Sequence, residues 1–470
     1  MTESINQDTK VSVFKLFKQA IRGDIKDFTT GSIDRAIFLL AVPMVLEMSL
    51  ESLFAIVDIY FVNKVSPAAA AIVGLTESSL TILYSIAWGL AMGATALIAR
   101  RAGEKDFKSA SAVAVQAIIV ASAFSVLISV IGVIFPKEIL AFMGADKAIV
   151  EEHYRFTQVM MASNIVIMLL FVNNGIFRGA GDASIAMKAL IFANIINIIL
   201  DPLLIMGYGP FPKMGLMGAA VATTIGRACG VIYQFYHLFN GKDLIKLVLK
   251  EFRVNFLLIK NLLNTSSGAM FQFLIGSCSW IFLAKIIAES GVEATAGYFT
   301  AIRICIFTIL PAWGIGNAAA TLTGQNLGAG KPERAEKSVW RSAFLALCFF
   351  AFVAVIFFFF GETLMRFFTS NPKAIEEGTL CLHILAIGYM FFAYGMVLTQ
   401  AFNGAGDSKT PTYINLVVFW LLQIPLAYLL AKYLKMGTLG VYMAIGIAES
   451  VLAIVSIIVF KKGRWKLVKI

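Results

Sequence analysis

Two apolar stretches of this 470-residue chain hold carboxylates where a bilayer-spanning helix should have none. The first, Ala36 to Val62, contains Pro43, Glu47, Glu51 and Asp58. At about 100° per residue, positions 47, 51 and 58 fall near one face of a helix. Each acid near a bilayer centre costs on the order of 3 kcal/mol, so such a stripe must face a wet cavity, a partner or an ion. Glu47 and Glu51 are one turn apart and repel each other, which suits a proton carrier or a cation ligand. Hydrogen bonds to backbone or hydroxyls across a helix interface are the other way to hold them. The second stretch, ANIINIILDPLLIMG, puts Asn194, Asn197 and Asp201 at spacings of three and four, hence on one face. Pro202 removes a backbone donor directly after Asp201 and loosens the helix there. Freed carbonyls, a carboxylate and an amide are oxygen ligands for a hard cation, or a wet proton site. This is the chemistry of a cation-coupled transporter, with Asp58 in its coupling machinery. For both aspartates the alternative is an acid near the outer helix end that reaches interfacial water.

Acids so placed need spanning helices around them, and the composition supplies these. The chain is 59% hydrophobic and 14% charged. A soluble domain has about 25% charged residues, so the expected class is an all-α polytopic membrane protein. The net charge of +11 comes from basic residues in short gaps between apolar runs, a positive-inside pattern rather than a nucleic-acid surface. The five cysteines lie within apolar runs without CxxC pairing, and the three histidines are scattered, so neither disulfides nor a metal site is expected. Residues 1–34 show no removable signal peptide. Within them Val11 to Ile21 fits a short amphipathic surface helix or a disordered tail.

Twelve apolar segments fall between residues 35 and 460. The basic, amphipathic stretch 239–261 divides six from six and reads as a linker helix on the inner surface. With both termini inside, 27 of the 39 Lys and Arg residues lie inside and 8 outside, which favours cytoplasmic ends in an inner membrane. A repeat marks the same division. AWGLAMGATALIARRAG returns as AWGIGNAAATLTGQNLG, with Trp88 and Trp313 offset by 225. FRGAGD at 177–182 returns as FNGAGD at 402–407 with the same offset, and KMGLMG at Lys213 returns as KMGTLG at Lys435, offset by 222. Six helices per half give both halves one orientation, related by an axis along the membrane normal. The expected organisation is an N-terminal segment 1–34, a bundle 35–238, the linker 239–261, a second bundle 262–460 and a basic tail 461–470.

The repeated halves, the early P…VD helix, the RGAGD and NGAGD loops and GQNLGAG after the eighth helix resemble the multidrug and toxic compound extrusion (MATE) family. That family belongs to the multidrug/oligosaccharidyl-lipid/polysaccharide exporter superfamily. The resemblance covers residues 30–460 and implies two pseudo-symmetric six-helix bundles around a central cavity. It also implies export of organic, often cationic compounds against inward flow of H⁺ or Na⁺. Asp58 matches the family's first-helix aspartate. Asn197 and Asp201 resemble the NxxxD pair of archaeal members, with Asn174 and Thr223 as neighbours. Another branch places acids in helices seven and ten. Here Gln272, Tyr389, Tyr394 and Gln400 stand in those helices without a carboxylate, so the first half is the better coupling candidate.

The remaining membrane charges, Glu77, Arg227, Arg303 and Glu449, read as structural ion pairs or hydrogen bonds. Met270, Phe273 and Phe391, with Gln272 and Tyr394, are candidates for an adaptable cavity that takes flat apolar compounds. No GxxxxGK[ST] motif occurs, so no nucleotide partner is expected and transport is secondary. No cofactor beyond the coupling ion, no enzyme activity and a monomer are expected. The competing reading is a lipid-linked precursor flippase of the same superfamily.

Overall fold

The computed structural model describes residues 12–24, 27–63, 65–240, 244–248 and 252–470, and the Asp58 side chain lies outside the described residues. Helix α1 (Val13–Arg22) precedes α2 (Ile33–Asn63), α3 (Pro67–Gly103), α4 (Phe107–Ile134), α5 (Pro136–Phe142), α6 (Lys147–Ala162), α7 (Asn164–Ala180), α8 (Ala183–Met206) and α9 (Leu216–Asn240). The second half contains α10 (Phe256–Ala288), α11 (Val292–Gly328), α12 (Pro332–Phe368), α13 (Pro372–Gly404), α14 (Lys409–Asn415), α15 (Ile424–Tyr428) and α16 (Thr438–Lys461). Residues 416–423 and 429–433 are π-helical and complete one spanning segment with α14 and α15. Twelve spans among the described residues are long and apolar enough to cross a bilayer. No strand occurs among those residues. The protein is an all-α, multi-pass membrane protein.

Local chemistry fixes many helix starts. Ser66, Asp106, Asn255 and Asn371 accept hydrogen bonds from first-turn amides, and Pro67, Pro332 and Pro372 open their helices. The GAGD motifs stop theirs. Gly181 and Gly406, 225 apart, take left-handed φ values of 85° and 87° just past α7 and at the turn after α13.

Two large apolar cores form. One runs from Met48 to Leu262 and the other from Leu283 to Trp465. Between them α2, α3, α10 and α11 cross reciprocally. A Cβ on Gly103 would lie 2.0 Å from the Gln325 carbonyl oxygen, and one on Gly328 would lie 2.0 Å from the Arg100 carbonyl oxygen. Gly89 abuts Met270 while Gly314 abuts Val45. Each contact is the other's counterpart at the 225-residue offset. Trp88 and Trp313 meet edge-to-face with centroids 5.3 Å apart, which puts the pseudo-twofold axis between them. Only glycine permits helices to approach this closely, and lipid supplies no hydrophobic force to replace that contact.

The end that carries α1, the linker and residues 464–470 is called the terminal end here, and the opposite one the far end. The linker differs from the helix expected. Its described residues 244–248 and 252–255 are non-helical, and Ile245 and Leu247 are buried between exposed Lys246 and Val248. The amphipathicity is real but has a period of two, the pattern of an extended segment. Helix α1 forms as a surface helix with Val13, Phe14 and Phe17 exposed.

Two peptide segments bridge the bundles at the terminal end. A strap, residues 27–31, receives Lys331 Nζ on the Thr29 carbonyl at 2.9 Å. Arg334 donates to the carbonyls of Phe28, Thr30 and Gly31 at 3.2, 2.9 and 2.8 Å. The preceding Arg22 carbonyl accepts from Ser184 and Lys188 on α8. In the other direction Arg100 donates to the carbonyls of Ala405 and Val468, and Arg101 to that of Ile470.

Candidate functional site

Helices α2 and α8 run side by side from the terminal end outward, and α9 returns against α8. Gly226 allows that return. A Cβ there would sit 2.8 Å from the Ala193 carbonyl and 3.2 Å from the Asn197 Cβ. Thr223, one turn earlier on α9, shares this face. Asn197 and Asp201 are both 0% exposed, and Asn197 Nδ2 donates to Asp201 Oδ1 at 3.2 Å. The backbone of Asp58 stands seven residues beyond Glu51 in α2, about 10 Å toward the far end.

Asn174 lies elsewhere. It accepts a 2.5 Å bond from Gln234 Nε2, and Gln234 is eight residues past Gly226, about 12 Å toward the terminal end. The structure thus brings Asn197, Asp201 and Thr223 to one level and sets Asn174 apart.

Glu47 and Glu51 each face an arginine. Arg178 Nη1 meets Glu47 Oε1 at 3.2 Å, with side chains 1% and 0% exposed. Arg227 Nη2 meets Glu51 Oε1 at 3.0 Å, and its guanidinium lies 4.7 Å over the Phe54 ring. Among the described residues both acids therefore have cationic partners, which the expectation of two mutually repelling carboxylates did not include. The RGAGD motif reads as a loop in sequence, yet Arg178 is inside α7 and the turn begins only at Gly181. Its buried role had one signal. The pair recurs at the 225 offset as Gln272 and Asn403, whose amides exchange two bonds of 3.1 Å.

Gln272 also donates to the Ser408 carbonyl and to Thr412, so its amide is committed to helix packing. Met270 lies against Gly89, and the Phe273 ring sits 5.5 and 5.4 Å from Trp88 and Trp313. Met270 thus belongs to one of the reciprocal crossings, and Phe273 packs beside it against the two tryptophans. Phe391 is exposed, whereas Tyr394 packs over Trp340 in the second core, so the structure does not bring Tyr394 to Phe273. No cluster of metal ligands is found among the described residues.

The MatE family model matches residues 43–203 and 269–429, once in each half. The chain belongs to the MatE family. A probable multidrug resistance protein, NorM, of Thermotoga maritima is 27% identical over 91% of this MatE chain and 92% of its own length. The multidrug export protein MepA of Staphylococcus aureus is 21% identical over 92% and 94%. An FAD transporter of Shewanella oneidensis is 24% identical over 85% and 88%. Among solved structures, a MATE protein in complex with MaL6 superposes with a TM-score of 0.87 at 27% identity, covering 96% of this chain and 98% of the other. A superfamily transporter of Pyrococcus furiosus, described as having a binding pocket of reverse polarity, also reaches 0.87 at 26% identity, with 95% and 97% covered. This MatE chain is a membrane transporter of the multidrug-efflux type.

Proposed function

We propose that the chain is a secondary antiporter that exports organic, often cationic compounds in exchange for H⁺ or Na⁺. Coupling resides in the first bundle, at Asp58 and Asp201 with Asn197 and Thr223. The observation that carries this reading is the fully buried Asn197–Asp201 pair on α8 beside the α2 segment that holds Asp58. Carboxylates at that depth persist only with a function or a partner. Charge cancellation there changes which packing of α2 is preferred, and Pro43 gives that helix a bending point. Glu47 and Glu51 support the site through their arginines, and Asn174, held by Gln234, lies nearer the terminal end.

Release follows from alternating access. Every hydrogen bond and ion pair between the bundles, among the described residues, lies from Thr321 to the terminal end. That arrangement supports a state open at the far end, with Met270, Phe273 and the paired tryptophans as an apolar floor. Both termini are cytoplasmic in this reading, and the protein acts as a monomer.

The test is reconstitution into vesicles with dye efflux driven separately by Na⁺ and pH gradients. Asp201→Asn and Asp58→Asn should each abolish efflux while dye binding survives, and the double variant should be little worse. Full efflux from either single variant overturns the shared site.

A further inference from the structure

Glu449 belongs to α16 and lies in a membrane span. Tyr442, Ile445, Ala453 and Ser456 lie within about 40° of it on the helical wheel, and all four are buried. The exposed apolar residues of α16, Met443, Ile447, Ile454 and Ile458, lie about 120° to 180° away. The carboxylate therefore points into the second bundle. It is only half-buried, so it borders open space. Its Oε2 is shielded and has no hydrogen-bond partner, and no ion pair among the described residues includes it.

That space has glycine walls. A Cβ on Gly446, one turn before Glu449, would meet nothing within 4 Å, and neither would one on Gly276 of α10. Gly276 lies between Gln272 and Ser279 on the buried stripe of its helix, so its gap is inside the bundle too. The repeat explains what is missing. Gly276 is the counterpart of Glu51 at an offset of 225, and Glu449 that of Arg227 at 222. In the first bundle these positions hold the Glu51–Arg227 ion pair. In the second, one member is reduced to glycine and the other is an acid. The result is one negative charge at a repeat position whose partner position, Gly276, has no side chain and open space where a Cβ would stand.

We propose that Glu449, with the gap at Gly276 and Gly446, is a binding site for a singly charged cationic group, separate from the first-bundle aspartates. The group is either an alkali ion or the ammonium head of an organic cation. Both satisfy the same chemistry, because an acid left alone in a low-dielectric bundle gains most from a compact positive charge.

Binding to purified full-length protein in nanodiscs, without any gradient, tests this apart from the coupling reading. The probes are radiolabelled Na⁺ and radiolabelled methylammonium. Glu449→Gln should weaken one of them by about tenfold or more, and which one identifies the source. Gly276→Ala, which narrows the gap without touching charge, should weaken the same probe several-fold and serves if Glu449→Gln does not fold. Unchanged affinity for both probes in a folded Glu449→Gln, or in Gly276→Ala should the former not fold, overturns the proposal. A loss in Asp201→Asn with none in Glu449→Gln overturns it too, and leaves the coupling reading standing.

Discussion

One position of the fold is solved twice. In the first bundle Glu47 and Arg178 form a buried ion pair, and in the second Gln272 and Asn403 form a neutral amide pair at the same repeat positions. Both tie the helix that opens the bundle, α2 or α10, to the helix that ends in a GAGD turn, α7 or α13. The neutral version shows that the packing does not need charge. Desolvating two ions is expensive, and a well-packed neutral substitute is often no worse. The charge in the first bundle thus adds little that the fold requires, and it sits in the half that also holds Asn197 and Asp201.

The comparison is broken or sharpened most strongly at Arg178. Arg178→Ala strands Glu47 in the bundle and should remove about 3–5 kcal/mol of stability. The double variant Glu47→Gln/Arg178→Asn copies the second bundle and should recover most of that loss. Thermal unfolding in detergent reads both. A double variant as unstable as the single would mean that the two halves are not interchangeable at this position.

A smaller loss is expected in the second bundle. Asn403→Ala removes the amide partner from Gln272, which keeps its bonds to Ser408 and Thr412. The expected destabilisation is about 1–3 kcal/mol, below that of Arg178→Ala in the same assay. The reverse ranking would show that charge is not what makes the first pair sensitive.

Much of this was legible in the sequence. The twelve spans follow from apolar runs, and the twofold relation from Trp88/Trp313 and the GAGD motifs, because polar motifs that recur at one offset seldom arise by chance. The Asn197–Asp201 contact follows from helical spacing alone. The arginine partners of Glu47 and Glu51 were not legible. Those pairs join residues 131 and 176 positions apart, and a local pattern has no term for a distant helix. Arg178 was further concealed by its GAG context, which looks like a turn although the turn begins only at Gly181, three residues later. The linker hid its form because a few alternating residues fit a short helix and an extended strip equally well.

Weaker contrasts separate the bridges at the terminal end from the bundles themselves. Arg334→Ala deprives three strap carbonyls of their donor. It should cost about 1–2 kcal/mol at this partly exposed site and favour opening at the terminal end. Faster labelling of a cysteine placed near Thr321 would report that shift, and unchanged labelling would show that the glycine crossings hold the seam alone.

The smallest effect concerns pH. The Thr29 hydroxyl donates to the Asp27 carboxylate at 2.7 Å and holds it below the usual carboxylate range. A depressed folded value means that the contribution is complete above the unfolded value of about 3.9 and is lost as pH falls through the lower one. Amide exchange in the strap should therefore be flat from neutral pH to about 4 once intrinsic rates are divided out. Thr29→Val should move the onset of loosening upward, and no movement would exclude the hydroxyl as its cause.

The strap also has a history within each molecule. Its carbonyls leave the ribosome early, and the guanidinium of Arg334 follows 303 residues later than Gly31. At roughly 5–20 residues per second, that interval is about 15–60 s. Ser184 and Lys188 arrive about halfway through the wait and can anchor the Arg22 carbonyl, 162 and 166 residues behind them. The first bundle is thus assembled with an open clasp, which can close only once the first turn of α12 has been made.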